Sequence, residues 1–159
     1  MLKHTKGNLI DLAEQGEFNI IIHGCNCHHT MGSGIAREIR ERYPQAYAAD
    51  LETPKSDRAK LGRYSVAPTE TFAIVNAYTQ YDFMPRGQDH FEYEAFQQIL
   101  DEFAERAEEN AGEIVLSFGF PYIGMGLAGG NPDRIIPMLE AFAERIEATG
   151  GSVTLVEFE

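Results

Sequence analysis

Side chains that could do chemistry follow the first apolar segment of the chain, Ile20 to Ile22. His23 and Asn26 come directly after it, and a loop that contains Gly32 and Gly34 leads into a helical pattern. In this order of elements, glycines let backbone N–H groups approach an anion, and the helix dipole favours negative charge at the helix N-terminus. The pattern therefore predicts a phosphate-binding loop, although a tight strand-to-helix turn without a ligand would give the same sequence.

Two of these residues are candidates for catalysis, His23 and Asn26. A histidine at a strand end can donate a proton to a leaving oxygen or orient an attacking water. Asn26 could hold a sugar hydroxyl or position the same water. The alternatives are a histidine that only makes structural hydrogen bonds and an asparagine that only stabilises a turn.

The loop matches neither of two familiar phosphate-binding motifs. In the Walker A motif a Lys and a Ser or Thr follow the second glycine, whereas Ile35 and Ala36 follow Gly34 here. The G-x-G-x-x-G motif requires a glycine at the position that Arg37 occupies. A phosphate site in this chain would therefore be of another type.

Composition limits the range of possible functions. The chain has 159 residues and a formal net charge of −12, and we expect residues 1–159 to form one domain. This negative charge argues against a broad surface that binds duplex nucleic acid. It does not exclude a local site that binds one small anion. Apolar runs are only a few residues long, and the segment from Met1 to Lys6 lacks the apolar core of a signal peptide. We expect a monomer that does not enter a membrane and lies in the cytoplasm, or in the host cytoplasm if the protein is viral.

Four possible metal ligands lie close together in the sequence, namely Cys25, Cys27, His28 and His29. The C-x-C-H-H spacing is not one that structural zinc sites use. We therefore expect reduced thiols, no metal and no cofactor, with a zinc site as the alternative. One of His28, His29 and Thr30 could instead touch a sugar, although adjacent exposed histidines are more often ordinary loop residues.

Predicted strands and helices alternate along the chain. The strands are expected at about 2–6, 19–23, 62–67, 72–78, 113–118 and 152–158, and the helices at about 9–15, 34–42, 45–52, 91–110 and 132–148. The third and fourth strands are joined by residues 68–70 and predict a hairpin. Alternation of this kind predicts an α/β sandwich whose sheet is mixed because of the hairpin.

A second glycine-rich loop, residues 120–130, also lies between a predicted strand and a predicted helix. Four of its last seven residues are glycines, more than one turn requires. Ligands of open α/β sheets bind beyond the carboxyl ends of the strands. If the two loops follow neighbouring strands, they form two walls of one cleft, which would suit an extended, doubly phosphorylated ligand. The alternative is two unrelated turns.

Motifs along nearly the whole chain resemble those of the macro domain, an ADP-ribose-binding module. They are Lys6-Gly7-Asn8-Leu9, Ile21 to Asn26, Met31 to Ala36, Phe120-Pro121 and Gly124 to Leu127. The resemblance implies a three-layer α/β/α sandwich with a mixed, mostly parallel sheet of about six strands. Within the family, the segment from His23 to Cys27 resembles the yeast-type ADP-ribose-1″-phosphate phosphatases, and the segment from Gly124 to Leu127 is similar to the branch with the terminal ADP-ribose glycohydrolases.

The resemblance also implies a ligand and a reaction. ADP-ribose or its 1″-phosphate would be the small-molecule partner, and ADP-ribose-1″-phosphate would be hydrolysed to ADP-ribose and phosphate. The implied ligand-binding residues are Asn8, Leu9, Gly24, Met31, Gly32, Ser33, Gly34, Ile35, Ala36, Pro121, Ile123, Gly124, Met125, Gly126 and Leu127. The alternatives are a reader that binds ADP-ribose without turnover and a hydrolase that acts on ADP-ribosylated protein or nucleic acid.

The chain departs from the family pattern at several positions. Asn8 stands where many members have Asp, and His23 stands where deacetylating and mono-ADP-ribosyl-hydrolysing members have Asn. Ala128 stands where the glycohydrolase branch has a catalytic Asp, and Pro68-Thr69 occupies the stretch where we expect that branch to place a Lys nucleophile. The Lys/Asp mechanism of that branch is therefore not implied for this chain.

Three further side chains are weaker candidates. His90 precedes a predicted helix that could reach the rim of the cleft, and Asp89 is expected to cap that helix. Tyr122 could line the cleft. The acidic segment 102–109 is expected to be a solvated helix face rather than a site.

Overall fold

The computed structural model describes residues 1–159, which form one six-stranded mixed sheet with helices on both faces. The strands are β1 (Lys3–Gly7), β2 (Ile20–Cys25), β3 (Tyr64–Pro68), β4 (Ala73–Tyr78), β5 (Ser117–Phe120) and β6 (Ser152–Phe158). The helices are α1 (Leu9–Glu14), α2 (Gly34–Arg42), α3 (Pro44–Leu51), α4 (Tyr93–Glu109) and α5 (Pro132–Glu147), with a 3₁₀ turn at Arg58–Lys60. The strand order is β1-β6-β5-β2-β4-β3, and only the β3–β4 pair is antiparallel. The predicted three-layer architecture and the hairpin are confirmed.

Alternation along β2 divides its side chains between the two faces of the sheet. Ile22 packs into a cluster with Phe118 and apolar residues of α4 and α5. Ile21 packs into a second cluster with apolar residues of α1, α2 and α3. Because successive side chains of a strand point to opposite faces, His23 shares the face of Ile21 and lies on the α3 side of the sheet.

The apolar residues of α4 show why this helix could be predicted from the sequence. Phe96, Ile99, Leu100 and Phe103 recur at helical spacing, and all four are buried. Such a stripe forms one face of an amphipathic helix, which packs on the sheet while the acidic face points to solvent. The predicted helix is confirmed, with ends shifted by one or two residues.

The prediction of a strand over residues 113–118 was wrong in its position. The strand is Ser117–Phe120, and the side chains of Ile114 and Val115 are 52% and 61% exposed. A turn continues past α4, with the Ile114 N–H donating to the carbonyl of Asn110 at 3.2 Å. Pairing with β2 begins only where Phe118 meets Ile20. The strand therefore extends two residues further than predicted, and its carboxyl end delivers the second glycine-rich loop.

The helices and the possible metal ligands bear on the expectations about membranes and metals. None of the helices is both long enough and apolar enough to cross a membrane. The thiols of Cys25 and Cys27 are free and buried, and His28 and His29 are bonded to other loops. No group of three or more His, Cys, Asp or Glu side chains is arranged to hold a metal ion.

Candidate functional site

A continuous cleft runs along the carboxyl ends of the parallel strands and has three compartments. The outer compartment has a volume of about 400 Å³ and is lined by Gly7, Leu9, Gly34, Ile35, Glu38, Pro121, Tyr122, Val156 and Phe158. The central compartment has a volume of about 280 Å³ and is lined by Gly24, Ser33, Gly34, Ile35, Ala36, Gln80, Pro121, Tyr122, Ile123, Gly124, Gly126, Leu127 and Ala128. The inner compartment has a volume of about 80 Å³ and is lined by Gly24, Cys25, Asn26, Thr30, Met31, Gly32, Ala36, Asp50 and Gln80.

Shared residues join the compartments into one cleft. The outer and central compartments share four residues, which are Gly34, Ile35, Pro121 and Tyr122. The central and inner compartments share three, which are Gly24, Ala36 and Gln80. An elongated molecule of a few hundred Å³ fits such a cleft, which is in the size range of small-molecule sites. The two glycine-rich loops thus form two walls of one cleft.

Backbone N–H groups on both walls of the central compartment are free to bind a ligand. On one wall, α2 begins at Gly34, and the Ser33 side chain makes no capping hydrogen bond. The first N–H groups of a helix have no acceptor within it. On the other wall, the N–H groups of Gly124, Gly126 and Leu127 donate to no acceptor in the protein. Free backbone N–H groups at a helix N-terminus and in a glycine-rich loop are the kind of donor that binds anions.

The glycines of the second glycine-rich loop differ in how closely the protein packs around them. Gly124 has φ +73, and a Cβ there would lie 2.3 Å from Cδ1 of the Phe91 ring. Gly130 is as tightly enclosed, because its Cβ would lie 2.5 Å from the carbonyl oxygen of Gly124. In contrast, a Cβ on Gly126 would meet nothing within 4 Å. The fold therefore requires Gly124 and Gly130, whereas Gly126 borders open space in the cleft.

The outer compartment combines an apolar lining with one carboxylate. Phe158 ends β6 and is 75% exposed, and Glu38 of α2 also lines this compartment. Asn8 does not line this space. Its Oδ1 accepts from the Asp11 N–H at 3.0 Å, which caps α1, and its Nδ2 donates to Glu38 Oε1 at 2.8 Å. An amide nitrogen can donate two hydrogen bonds and an amide oxygen can accept two, so a ligand contact of Asn8 stays a prediction.

His23 lies outside the cleft, contrary to expectation. Its ring is fully buried, and its Nε2 lies 2.7 Å from Asn76 Oδ1. Because Asn76 Nδ2 donates to the carbonyl of Ala46 and to Ser65 Oγ, Oδ1 is the acceptor and His23 Nε2 carries the proton. Burial lowers the pKa of His23 from 6.5 to about 4, so the ring is neutral near pH 7. The assignment of His23 as the acid–base group of the cleft is therefore corrected to a structural role.

Asn26 does line the inner compartment. Its Nδ2 donates to Thr30 Oγ1 at 2.7 Å, and its Oδ1 accepts from the N–H of His28 at 2.8 Å. These bonds stabilise the loop that follows β2. They agree with the alternative in which Asn26 stabilises a turn. The amide borders the inner compartment at the same time. A ligand contact of Asn26 stays a prediction.

His28 and His29 hold the same loop against its neighbour. The ring nitrogens of His28 lie 2.8 Å from Ser56 Oγ and 2.8 Å from Asp82 Oδ1. His29 Nε2 lies 2.8 Å from the carbonyl of Thr53. Neither ring lines a compartment of the cleft. Both histidines therefore position the inner wall rather than face a ligand.

Several other expected site residues are placed differently by the structure. Met125 does not line the cleft but packs against the core formed by α4 and α5. Asp89 is not the cap of α4, since Glu92 precedes its first residue, and Asp89 Oδ1 accepts from the N–H of Phe91 at 3.1 Å. His90 Nε2 lies 2.6 Å from the carbonyl of Pro85 and reaches no compartment.

The stretch Pro68-Thr69, which the resemblance matches to the lysine of the glycohydrolase branch, lies away from the cleft. Pro68 pairs with Ala73 at the start of β4, whereas the cleft lies at the opposite ends of the parallel strands. The residue that follows β4 into the cleft is Gln80. The lining of the three compartments contains no lysine, and both Gln80 and Ala128 in it are uncharged.

Four polar or aromatic residues of the lining were not predicted from the sequence. They are Glu38, Asp50, Gln80 and Phe158. The inward position of Asp50 could have been predicted, because it follows buried Ala46 by four residues and therefore lies on the same face of α3. The other three belong to segments whose strands or helices were predicted, but which side chains reach the cleft depends on how those elements pack.

Comparison with known proteins identifies one relative by sequence and solved structures with the same fold. No family model matches the chain. The uncharacterized 17.5 kDa protein in the tk-vs intergenic region of Enterobacteria phage T4 is 34% identical over 164 residues, which cover 100% of this chain and 97% of the relative.

Solved structures share the architecture at low identity. The macrodomain of Mycobacterium tuberculosis DarG gives a TM-score of 0.77 at 18% identity, over 98% of this chain and 97% of that chain. Thermosipho africanus DarTG in complex with ADP-ribose gives a TM-score of 0.71 at 14% identity, over 89% of this chain and 38% of that chain. These likenesses show the macrodomain fold. The place of the chain in the phosphatase-like or glycohydrolase-like branch stays a prediction.

Proposed function

Because the chain belongs to the same family as the 17.5 kDa phage T4 protein and has the macrodomain fold, we propose that it binds ADP-ribose in the cleft. The observation that carries this proposal is the pair of walls with free backbone N–H groups around the central compartment. A diphosphate has oxygens on both sides and can accept from both walls at once. The ADP-ribose complex of a protein with the same fold supports the choice of ligand.

The order of the compartments matches the order of chemical groups in ADP-ribose. The outer compartment is mostly apolar, and the exposed Phe158 ring offers a stacking surface for adenine. Its one carboxylate, on Glu38, can accept a hydrogen bond from the adenine amino group. The inner compartment is small and bordered by Asn26 and Asp50, which suits the hydroxyl groups of the distal ribose.

The central compartment recognises an anion without side-chain charge. All thirteen residues that line it are uncharged, and the protein as a whole carries a net charge of −12. Attraction must therefore come from the dipole of α2 and from the free N–H groups. This arrangement favours a small anion that reaches into the cleft and disfavours a polyanion that needs a broad basic surface.

We further propose that the protein hydrolyses a bond at C1″ of the distal ribose, with ADP-ribose-1″-phosphate as substrate. Support comes from the resemblance of residues 23–27 to the yeast-type phosphatases and from a polar inner compartment next to the distal ribose position. A reader that binds ADP-ribose without turnover is the alternative, and the burial of His23 favours it. A hydrolase for ADP-ribosylated protein or nucleic acid would use the same cleft with another leaving group.

One parallel assay separates these functions. The purified protein is incubated with ADP-ribose-1″-phosphate, with ADP-ribosylated protein and with ADP-ribosylated DNA, and the released phosphate or ADP-ribose is measured. Release of phosphate from the first substrate alone supports the phosphatase. Release of ADP-ribose from a macromolecule supports the second kind of hydrolase, and ADP-ribose binding with no release from any substrate supports the reader.

A further inference from the structure

The backbone strain of this chain is concentrated at the inner wall of the cleft. Three residues other than glycine have a positive φ, namely His29 (φ 60), Met31 (φ 41) and Ser56 (φ 56). Two of them lie in the loop between β2 and α2, and Ser56 contacts that loop, because its N–H donates to the carbonyl of Cys27 at 2.6 Å. Residues with a side chain rarely adopt this conformation, and strain of this kind clusters at ligand-binding loops.

The strained loop leaves three successive backbone donors free at the inner compartment. Thr30, Met31 and Gly32 all line that compartment. Their N–H groups donate to no acceptor in the protein. Successive N–H groups around a left-handed residue form a concave site for oxygen atoms that carry negative charge or lone pairs. The conformation of Met31 therefore decides what this wall can offer to a ligand.

Two side chains that line none of the three compartments hold the loop in this conformation. Arg40 of α2 donates to the carbonyl of Thr30 at 3.1 Å. Tyr47 of α3 donates through its hydroxyl to the carbonyl of His29 at 2.9 Å. The guanidinium carbon of Arg40 lies 4.0 Å from the centre of the Tyr47 ring, so each side chain supports the other. Arg40 and Tyr47 thus form a clamp on two successive carbonyls of the loop.

The charge of Arg40 is not used in an ion pair, although the chain has a net charge of −12. The neighbouring arginines of α2 both pair with carboxylates, Arg37 with Glu41 and Arg42 with Glu38. Arg40 binds a carbonyl and an aromatic ring instead. A guanidinium is suited to this use, because it is planar, stacks on aromatic faces and presents its donors in a fixed geometry.

We propose that Arg40 and Tyr47 are positioning residues that give the cleft a preference for ADP-ribose over ADP, an inference that rests on the proposed function. The clamp keeps Thr30, Met31 and Gly32 in the conformation in which their N–H groups can donate to the hydroxyl oxygens of the distal ribose. ADP ends at the diphosphate, so its binding depends on the outer and central compartments alone. Release of the clamp therefore weakens binding of ADP-ribose and leaves binding of ADP unchanged.

Calorimetry with ADP-ribose and with ADP tests the inference on wild type and three variants. Arg40→Leu and Tyr47→Phe each remove one hydrogen-bond donor of the clamp. Arg37→Leu is the matched control, because it removes the same charge from the same helix, and the side chain of Arg37 binds Glu41 rather than the loop.

Arg40→Leu is expected to weaken ADP-ribose binding about tenfold or more, because the hydrogen bond that it removes is assisted by charge. Its Kd for ADP should stay within about threefold of wild type, and its thermal midpoint within about 2 °C, since the side chain is exposed. Tyr47→Phe should act in the same direction with a smaller loss, because its hydrogen bond is between neutral groups. Arg37→Leu should change neither Kd by more than about threefold.

The comparison of the two ligands separates the possible failures. If wild type prefers ADP-ribose and Arg40→Leu keeps that preference, the clamp is wrong and the proposed ADP-ribose site stands. Equal losses of affinity for ADP and ADP-ribose in Arg40→Leu would show that Arg40 only supports the fold of the loop, and they would also overturn the inference. If wild type binds neither ligand, both the proposed function and the clamp are wrong.

Discussion

His23 Nε2 donates to Asn76 Oδ1 at 2.7 Å, and this bond lies in the layer below the cleft rather than in it. Asn76 continues the chain of hydrogen bonds to the Ala46 carbonyl in α3 and to Ser65 Oγ in β3. These hydrogen bonds thus connect four elements of the fold, namely β2, β4, α3 and β3. A side chain that the sequence places next to a phosphate loop serves to hold the inner wall of the cleft in position.

The buried His23 ring predicts a particular dependence of stability on pH. Burial lowers its pKa from 6.5 to about 4, so the unfolded chain binds a proton at a pH where the folded protein does not. Its contribution is complete above about pH 6.5 and is lost as the pH falls toward 4. Between about pH 7.5 and about pH 4.5, wild type should lose about 2–3 kcal/mol of unfolding free energy from this group alone.

Chemical denaturation of wild type and His23→Gln at both pH values measures this effect. The variant keeps an N–H donor toward Asn76, but its side chain cannot titrate. Its loss of unfolding free energy between the two pH values should therefore be smaller than that of wild type by the contribution of the histidine. The carboxylates that titrate in the same range are common to both proteins and cancel in the comparison. Equal losses in the two proteins would show that the histidine is not held neutral by burial.

The same variant tests whether His23 takes part in the reaction. Because the ring lines none of the three compartments, His23→Gln should change kcat and the Kd for ADP-ribose by less than about threefold. Steady-state kinetics and calorimetry at neutral pH provide the two constants. A loss of about 10²–10⁴ in kcat with unchanged stability would return His23 to the catalytic role.

Gly124 and Gly126 should respond very differently to the same substitution. Gly124→Ala places a Cβ 2.3 Å from the Phe91 ring at φ +73, and it should lower the unfolding free energy by about 2–4 kcal/mol. Gly126→Ala meets nothing within 4 Å and should leave stability within about 0.5 kcal/mol of wild type. Thermal and denaturant unfolding of both variants measures the two unfolding free energies. Similar stabilities would mean that the loop does not pack against Phe91 as described.

Phe158 should contribute to affinity but not to stability. Its ring is 75% exposed at the rim of the outer compartment. Stacking of a base on an aromatic ring contributes about 1–3 kcal/mol, so Phe158→Ala should weaken ADP-ribose binding about tenfold or more. Ile114→Ala, which removes another exposed apolar side chain far from the cleft lining, is the control. Unchanged Kd values for ADP-ribose in Phe158→Ala would place adenine elsewhere.

The layers of this fold could be predicted from the sequence because the relevant signals are local. Phe96, Ile99 and Leu100 recur at helical spacing, and glycines mark the ends of the strands that open onto the cleft. The error over residues 113–116 arose because apolar Ile114 and Val115 were taken as buried, although both are more than half exposed. Hydrophobicity alone does not say which apolar residues are covered.

The direction of the strand-end side chains was harder to predict. His23 and Asn26 are three residues apart, yet one enters the layer below the sheet and the other borders the cleft. Which of them reaches a ligand depends on where β2 ends, and the strand continues to Cys25, two residues beyond the predicted end. Asp50 lies on a helix that is distant in sequence from both loops, so only tertiary packing brings it to the inner compartment.

Calorimetric titration with ADP-ribose tests the central claim most directly, with wild type, Gly126→Glu and Gln97→Glu compared. Gly126→Glu puts a carboxylate into the open space of the central compartment, whereas Gln97→Glu adds the same charge on the exposed face of α4. We predict one-to-one binding by wild type and by Gln97→Glu, and none detectable by Gly126→Glu with stability unchanged. No heat with wild type at millimolar ADP-ribose, or wild-type affinity in Gly126→Glu, would contradict a diphosphate site between the two glycine-rich loops.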